Sequence, residues 1–223
     1  VDLEKSRYYF EKAVELGSVD ALYGLGKLYL KTEFSEYDSE KAVEYLGQAA
    51  AKDNAFARYQ LGKLFCQGKL VQKDIARGLP LLEELAEAGV TSAAYLAGKV
   101  YLKEEDWKDV QKAIRCFHMA AEDGNSYAEY QLGKIYFFGD GIRADREKGL
   151  EYLAQSTAHR NVYAENLLRV IQQQHIRGAA SLIAQLGRIF QEKEQQDRVR
   201  HQQPDRKQRR QIDEKKQAMG IRD

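Results

Sequence analysis

The sequence predicts an all-α solenoid of stacked two-helix modules, closed by a helical cap and followed by a charged tail. Three observations predict it. The stretch Tyr23-Gly24-Leu25-Gly26-Lys27-Leu28-Tyr29 returns as Tyr59-Gln60-Leu61-Gly62-Lys63-Leu64-Phe65, as Tyr95-Leu96-Ala97-Gly98-Lys99-Val100-Tyr101 and as Tyr130-Gln131-Leu132-Gly133-Lys134-Ile135-Tyr136, at intervals of 35 or 36 residues. Half a repeat out of phase, Asp2, Asp38, Asp74, Asp109 and Asp145 recur at the same interval. After each Asp come a base (Lys5, Lys41, Arg77, Lys112, Lys148) and then a small residue (Ser6, Ala42, Gly78, Ala113, Gly149). A period of this size marks units that cannot bury their apolar faces alone and must stack.

Each Asp reads as the N-cap of the second helix of a module, here B, because its carboxylate accepts first-turn amides and suits the positive end of the helix dipole. Val1-Asp2 then opens a B helix whose preceding A helix is missing, and the chain is expected to be a piece of something longer. The A helices are predicted over Asp20–Lys31, Ala55–Gln67, Ser92–Lys103 and Tyr127–Phe138. Gly17, Gly89 and Gly124 close B helices, where glycine takes the left-handed conformation. Asp53 and Arg160 hold the equivalent places, which predicts less sharply capped ends there. Gly26, Gly62, Gly98 and Gly133 each cost about 1 kcal/mol against Ala inside a helix. Their recurrence predicts that a B helix crosses tightly at that point. The interval from Asp74 to Asp109 is one residue shorter than the others, and the loss falls in the A–B loop, where deletion is tolerated. Pro80 lacks an amide donor and clashes with the preceding turn, so its B helix is expected to kink or to start late.

Ala164-Glu165-Asn166-Leu167-Leu168 begins a fifth A helix, 36 residues after Ala128. Asn166 and Arg169 occupy its tyrosine and glycine positions, as suits a cap whose outer face meets water. Residues 1–174 are thus assigned to the solenoid. Leu182, Ile183, Leu186, Ile189 and Phe190 recur at helical spacing and place an amphipathic capping helix in residues 175–196. Residues 197–223 form a charged tail, with Ile212 alone at the middle of its last segment. Such a helix is marginal by itself in water.

The segment Ala128–Tyr136, followed by Gly139-Asp140-Gly141-Ile142-Arg143-Ala144-Asp145, resembles the Sel1-like repeat, the longer-looped relative of the tetratricopeptide repeat. The second repeat keeps Gly68 and Val71 ahead of Asp74. The first and third have lost the loop glycines, so their loops are expected to be reshaped. The resemblance implies a right-handed α-solenoid of antiparallel helix pairs that serves as a protein-binding scaffold and carries no catalytic chemistry. Gly178-Ala179-Ala180-Ser181-Leu182 and the stretch Asp205–Gly220 resemble the carboxy-terminal end of certain relaxases. These are DNA-nicking mobilisation proteins of conjugative elements in Gram-positive bacteria, some of which carry Sel1-like repeats. That resemblance implies a nicking domain upstream, with its own histidines and tyrosine.

Composition narrows the function further. Lys plus Arg number 35 against 34 Asp plus Glu, so no global field draws the chain to nucleic acid or membrane. Residues 188–223 carry 11 basic and 7 acidic groups and the remainder 24 and 27, a mildly basic tail on a mildly acidic body. Cys66 and Cys116 sit at different repeat positions, which argues against a disulfide framework and for a reduced, cytoplasmic setting. No apolar run approaches the ~20 residues that cross a bilayer. His118, His159, His175 and His201 show no ligand spacing, so no metal is expected. Gly139-Asp140-Gly141 lies between helices and reads as loop chemistry, not a phosphate cradle. No catalytic residue, cofactor, small-molecule substrate or membrane contact is therefore expected.

One pattern goes beyond a bare scaffold. Lys27, Lys63, Lys99 and Lys134 each follow Tyr23, Tyr59, Tyr95 and Tyr130 by four residues and share a helix face with them. In tetratricopeptide geometry the A helices line the concave surface. Lysines and rings would then alternate along one channel suited to a protein or acidic peptide. A row that merely solvates the helix surface and a ladder for a phosphate backbone are the competing readings. Arg206, Lys207, Arg209 and Arg210 are the candidates for DNA contact, with interleaved acids and no aromatics against them. The leading expectation is a partner-recruiting scaffold forming the carboxy-terminal part of a relaxase-type protein. DNA binding through the tail and a free-standing regulatory adaptor are the alternatives.

Overall fold

The computed structural model of the 223-residue chain describes residues 2–174 and 190–195. It divides into two compact units, residues 1–168 and 169–223. Helices α1 (Leu3–Glu15), α2 (Val19–Tyr29), α3 (Ser39–Ala51), α4 (Ala55–Gln67), α5 (Ile75–Glu87), α6 (Thr91–Lys103), α7 (Val110–Glu122), α8 (Ser126–Phe138), α9 (Arg146–Ala158) and α10 (Val162–Gln174) follow one another. The described residues contain no strand. The even-numbered helices are the A helices and the odd-numbered ones the B helices. Each A helix packs most extensively on the B helix that follows it. The capping helix predicted in 175–196 and the tail of 197–223 lie outside the described residues, apart from the helical stretch 190–195.

Every predicted B cap forms. The carboxylates of Asp2, Asp38, Asp74, Asp109 and Asp145 accept the amides of Lys5, Lys41, Arg77, Lys112 and Lys148 at 2.9–3.1 Å. The A helices have caps of their own that went unread in the sequence. The side chains of Ser18, Asn54, Asn125 and Asn161 accept the amides of Ala21, Ala57, Ala128 and Ala164. Val90 stands at that place in the third module and makes no side-chain cap.

The recurring glycine is explained by contact. A methyl group on Gly26 would lie 2.6 Å from Leu46 and 3.2 Å from the Ala42 carbonyl. On Gly62 it would meet Leu82 at 2.8 Å and the Gly78 carbonyl at 3.1 Å, and on Gly133 Leu153 at 2.7 Å and the Gly149 carbonyl at 3.1 Å. In the third module Phe117 fills the same space at 2.7 Å from the Gly98 position. The small residues Ala42, Gly78 and Gly149 after the cap bases therefore form the other half of the A–B crossing in their modules. Alanines complete the close packing: Ala42, Ala49, Ala57, Ala93, Ala97, Ala113, Ala120 and Ala128 are fully buried.

The cap base has a second role. Lys41, Arg77, Lys112 and Lys148 lie over the rings of Tyr29, Phe65, Tyr101 and Tyr136, at 5.5, 4.2, 5.1 and 4.2 Å from the centroids. The carbonyl of each of those aromatic residues accepts the amide of the next cap, from Asp38, Asp74, Asp109 and Asp145, at 2.8–3.1 Å. Each A helix is thus tied to its B helix at both ends of the A–B loop. A cation over an aromatic face is worth about 0.5–1 kcal/mol at such partly exposed sites.

The A–B loops differ as expected. Gly68 and Gly139 end α4 and α8 in the left-handed conformation, at φ 62° and 73°. The first loop turns on the buried Phe34, packed edge-on against Tyr29. The shortened third loop winds a 3-10 helix, Glu105–Trp107.

Two expectations are corrected. Asp53 and Arg160 do adopt the left-handed conformation, at φ 62° and 61°. The bonds that follow them, Asn54 amide to Ala49 carbonyl and Asn161 amide to Ser156 carbonyl at 3.1 and 3.0 Å, match those after Gly17, Gly89 and Gly124. Those ends are as sharply closed as the others. The six-to-one bond (first residue after the turn back to the last helical turn) outweighs the roughly 1–2 kcal/mol that a side chain costs there. Of the kink or late start expected at Pro80, the late start does not occur: α5 begins at Ile75, directly after its Asp74 cap, and Pro80 lies within it on the exposed face.

Gly133→Ala should destabilise the chain by about 1–3 kcal/mol, because overpacking against Leu153 exceeds the gain in helix propensity. Gly47→Ala, in α3 with nothing within 4 Å of the added methyl, should stabilise it by about 0.5–1 kcal/mol. Urea melts of the two variants against the parent check the opposite signs.

Candidate functional site

The four predicted Tyr–Lys pairs lie on the A helices α2, α4, α6 and α8. Spacing of four residues puts each lysine one turn beyond its tyrosine. The ammonium groups of Lys27, Lys99 and Lys134 lie 5.5, 5.6 and 5.5 Å from the ring centroids of Tyr23, Tyr95 and Tyr130. Tyr59 and Lys63 are both half-buried. Lys27 is exposed and Lys99 and Lys134 are half-buried. The tyrosines contribute less surface than expected: Tyr23 and Tyr95 are half-buried, and Tyr130 is buried.

The exposed rings come from another repeat position, unread in the sequence: the residue just before the first buried alanine of each A helix. Phe56 is 69% exposed, Tyr127 51% and Tyr163 37%. Ser92 and Asp20 hold that place in α6 and α2. These rings meet the predicted tyrosines across module boundaries. Tyr23 approaches Phe56 at 5.9 Å, Tyr95 approaches Tyr127 at 6.1 Å, and Tyr163 lies 6.3 Å from Tyr127 and 6.1 Å from Tyr130. A signal existed, since Tyr127 and Tyr163 stand one repeat apart, but the variable Asp20 and Ser92 concealed it. Arg206, Lys207, Arg209 and Arg210 lie outside the described residues.

The Sel1 repeat model matches residues 1–18, 19–54, 55–90, 91–125 and 126–160. The chain belongs to the Sel1 repeat family. Among solved structures it is similar to a Sel1 repeat protein from Oxalobacter formigenes, at 24% identity and a TM-score of 0.66, over 86% of this chain and 80% of that one. It is also similar to c5321, a protective antigen of uropathogenic Escherichia coli strains with an SLR fold. That match has 26% identity and a TM-score of 0.68, and covers 78% of this chain but 37% of that one. The fold is an α-solenoid, and Sel1 repeats generally mediate protein–protein interaction.

Other surfaces of this Sel1 array offer little chemistry. The thiols of Cys66 and Cys116 are free and buried, and burial pushes both up to about 11, far from a reactive thiolate. A cavity of about 70 Å³ between α5, α6 and α7, lined by Glu83, Tyr101, Lys112 and Cys116, is well below the ~300 Å³ of a small-molecule site. Among the described residues, no three His, Cys, Asp or Glu side chains converge to hold a metal, and no helix is long and apolar enough to cross a membrane.

One joint between Sel1 modules holds a titratable core. His118 of α7 contacts the hydroxyls of Tyr136 (α8) and Tyr152 (α9) through Nε2 at 3.3 Å and Nδ1 at 3.1 Å. Lys148 donates to the Tyr136 hydroxyl at 3.1 Å, and the two tyrosine rings stack at 5.8 Å. Lysine can only donate, so the Tyr136 oxygen accepts from it, and the ring tautomer of His118 sets the direction of the two tyrosine contacts. Glu83, one module earlier at the same repeat position, accepts from the Tyr101 hydroxyl. The residue nine places after the cap therefore reaches the next module's aromatic hydroxyl in both cases.

Burial, reinforced by Lys148 and opposed by Glu122, holds His118 below its ordinary 6.5. The unfolded chain then takes up this proton before the folded one does. Stability from this group is full above 6.5 and is lost as pH falls through that value toward the lower folded one. An NMR titration of the His118 ring should show a midpoint below 6.5. His118→Gln should remove that part of the acid-side loss in melting temperature.

Proposed function

We propose that this chain is a non-catalytic scaffold whose A-helix face forms the inner, concave side of the solenoid and captures an acidic segment of a partner protein. The observation that carries the reading is the recurrence of one cation at one place in four successive A helices, three of them held over a tyrosine ring. A lysine already leaning on a ring has given up part of the side-chain freedom that binding would otherwise cost, about 2 kcal/mol for a free one. Charge-assisted hydrogen bonds to a partner carboxylate add direction. The exposed Phe56, Tyr127 and Tyr163 supply apolar area beside the charges. Aromatic side chains with polar neighbours are the usual anchors of interfaces.

On the resemblance of the stretch Asp205–Gly220, the scaffold works as the carboxy-terminal part of a relaxase-type mobilisation protein in the cytoplasm. There it brings partner proteins to a nicking domain carried elsewhere in the polypeptide. Neither metal nor cofactor takes part in that role.

A cellulose array of peptides graded in acidic and apolar content tests the reading. Binding should rise with Asp and Glu when apolar residues are present, weaken as salt is raised, and drop at least tenfold for the Lys63→Glu/Lys99→Glu double variant. Binding untouched by the double charge reversal would overturn it. Gel shifts with duplex DNA, with and without residues 197–223, separate the tail reading. Retardation that depends steeply on salt and disappears with the tail would assign DNA contact to Arg206, Lys207, Arg209 and Arg210.

A further inference from the structure

Each joint between modules places three side chains around the aromatic residue near the end of an A helix. One comes nine places after the preceding cap, and the others three and seven places after the next cap. Around Tyr29 they are Glu11, Lys41 and Tyr45, and around Tyr136 they are His118, Lys148 and Tyr152. In both joints two tyrosine rings stack, Tyr45 on Tyr29 at 5.6 Å and Tyr152 on Tyr136 at 5.8 Å, with interplanar angles of 8° and 11°. A polar group of the previous module serves both hydroxyls. His118 contacts those of Tyr136 and Tyr152 at 3.3 and 3.1 Å, and the charge of Glu11 acts on both Tyr29 and Tyr45. Around Phe65, which has no hydroxyl, Gly47 replaces the polar group and Leu81 the second ring.

The joint around Tyr101 breaks this correlation. It keeps the polar group, since Glu83 accepts from the Tyr101 hydroxyl, and it keeps the base, with Lys112 at 5.1 Å from the ring centroid. The place of the second ring is held by Cys116. There the cavity of about 70 Å³ opens, lined by Glu83, Tyr101, Lys112, Cys116 and Met119. Glu87 and Arg115, both exposed and 3.8 Å apart, also line it, so it reaches the surface between the B helices α5 and α7. A closed cavity of about 150 Å³ takes a whole benzene molecule, and about half that volume, open on one side, suits a ring attached to something outside. A free small molecule would find too little wall to hold it.

We infer that this cavity is a binding site for the phenol ring of a tyrosine on a partner protein, which completes the joint as Tyr45 and Tyr152 complete theirs. The ring stacks on Tyr101, as its counterparts stack on Tyr29 and Tyr136. Its hydroxyl donates to the carboxylate of Glu83, which has a second oxygen to accept it. Met119 borders the ring, a contact that thioethers favour. A phenylalanine would cover the same carboxylate without supplying a donor, so the site selects phenol over phenyl. The cavity lies between B helices and does not depend on the lysine row of the A helices.

Two pentapeptides, Gly-Gly-Tyr-Gly-Gly and Gly-Gly-Phe-Gly-Gly, and free p-cresol test this on the full chain, with the Met119 methyl signal in a proton–carbon NMR spectrum as the readout. The tyrosine peptide should shift that signal saturably in the millimolar range. It should bind about fivefold more tightly than the phenylalanine peptide, the worth of one hydrogen bond. Cys116→Tyr supplies the missing ring from within, so it should raise the melting temperature by a few degrees and abolish the shift. As an independent variant, Glu83→Ala should bring the tyrosine peptide down to the level of the phenylalanine one. Equal binding of the two peptides to the parent, or a shift that survives in folded Cys116→Tyr protein, overturns the phenol site. A response to p-cresol with none to the tyrosine peptide overturns the partner side chain as occupant, and no response to either overturns the inference outright. The Lys63→Glu/Lys99→Glu variant should leave all these responses unchanged, which keeps failure here distinct from failure of the A-helix face.

Discussion

The architecture depends on the space left by one absent methyl group in each module. At Gly26, Gly62 and Gly133 the nearest neighbours of an added carbon are a leucine side chain and a backbone carbonyl of the crossing B helix. The leucine could yield by turning; the carbonyl cannot move without shifting α3, α5 or α9. In these modules the crossing point is therefore set by backbone against backbone, while at Gly98 the Phe117 ring sets it instead. The alanines buried along the next interface extend that closeness from module to module. A helix interior with glycine in it is intrinsically weak, so the crossing contact must more than replace what the propensity loses. Solenoid stability then resides in these nearest-neighbour contacts, since among the described helices the extensive packing is between consecutive ones.

Once the crossing is set, the A–B loop has few requirements. Its two ends are tied by the bond from the cap Asp amide to the aromatic carbonyl and by the cap base lying over the same ring. Whatever lies between need only span the gap. That is why one loop can turn on Phe34, two can use a left-handed glycine, and one can lose a residue and wind a 3-10 helix. The variability is confined between fixed points, and of the A helices only α2 is shortened by it, ending at Tyr29 where α4, α6 and α8 run two residues past the aromatic.

Much of this was legible because the repeats supply an internal comparison. The Asp caps, the tight glycine crossing, the position of the shortened loop and the A-helix ends at Gln67, Lys103 and Phe138 could be read from spacing alone. What escaped was contact between residues far apart in the repeat. The cap bases were visible as a column, but that Lys41 would lie over Tyr29, twelve residues earlier, needs the loop to be closed. Asp53 and Arg160 were misjudged because propensity treats the left-handed residue in isolation, while the closing bond belongs to the turn as a whole. Half of the candidate face was legible: the lysines, which recur without exception. The exposed aromatic band was not, since Asp20 and Ser92 interrupt it, and the tyrosines that do recur turn out to be largely packed.

The period that packs the core also spaces the lysines of the proposed binding face. Lysine, tyrosine and glycine occupy successive places on the same A helix, so the distance between one lysine and the next is fixed by how closely glycine lets the helices cross. A ligand spanning several modules would therefore bind only an array whose joints are all intact, and by mass action it would stabilise each joint it bridges. The joint around His118 lies between α7 and the pair α8–α9, within the span of the lysine row. Anything that charges that ring strains the contact that joins α7 to α8 and α9. Folding and the proposed recognition are in this sense one property of the array.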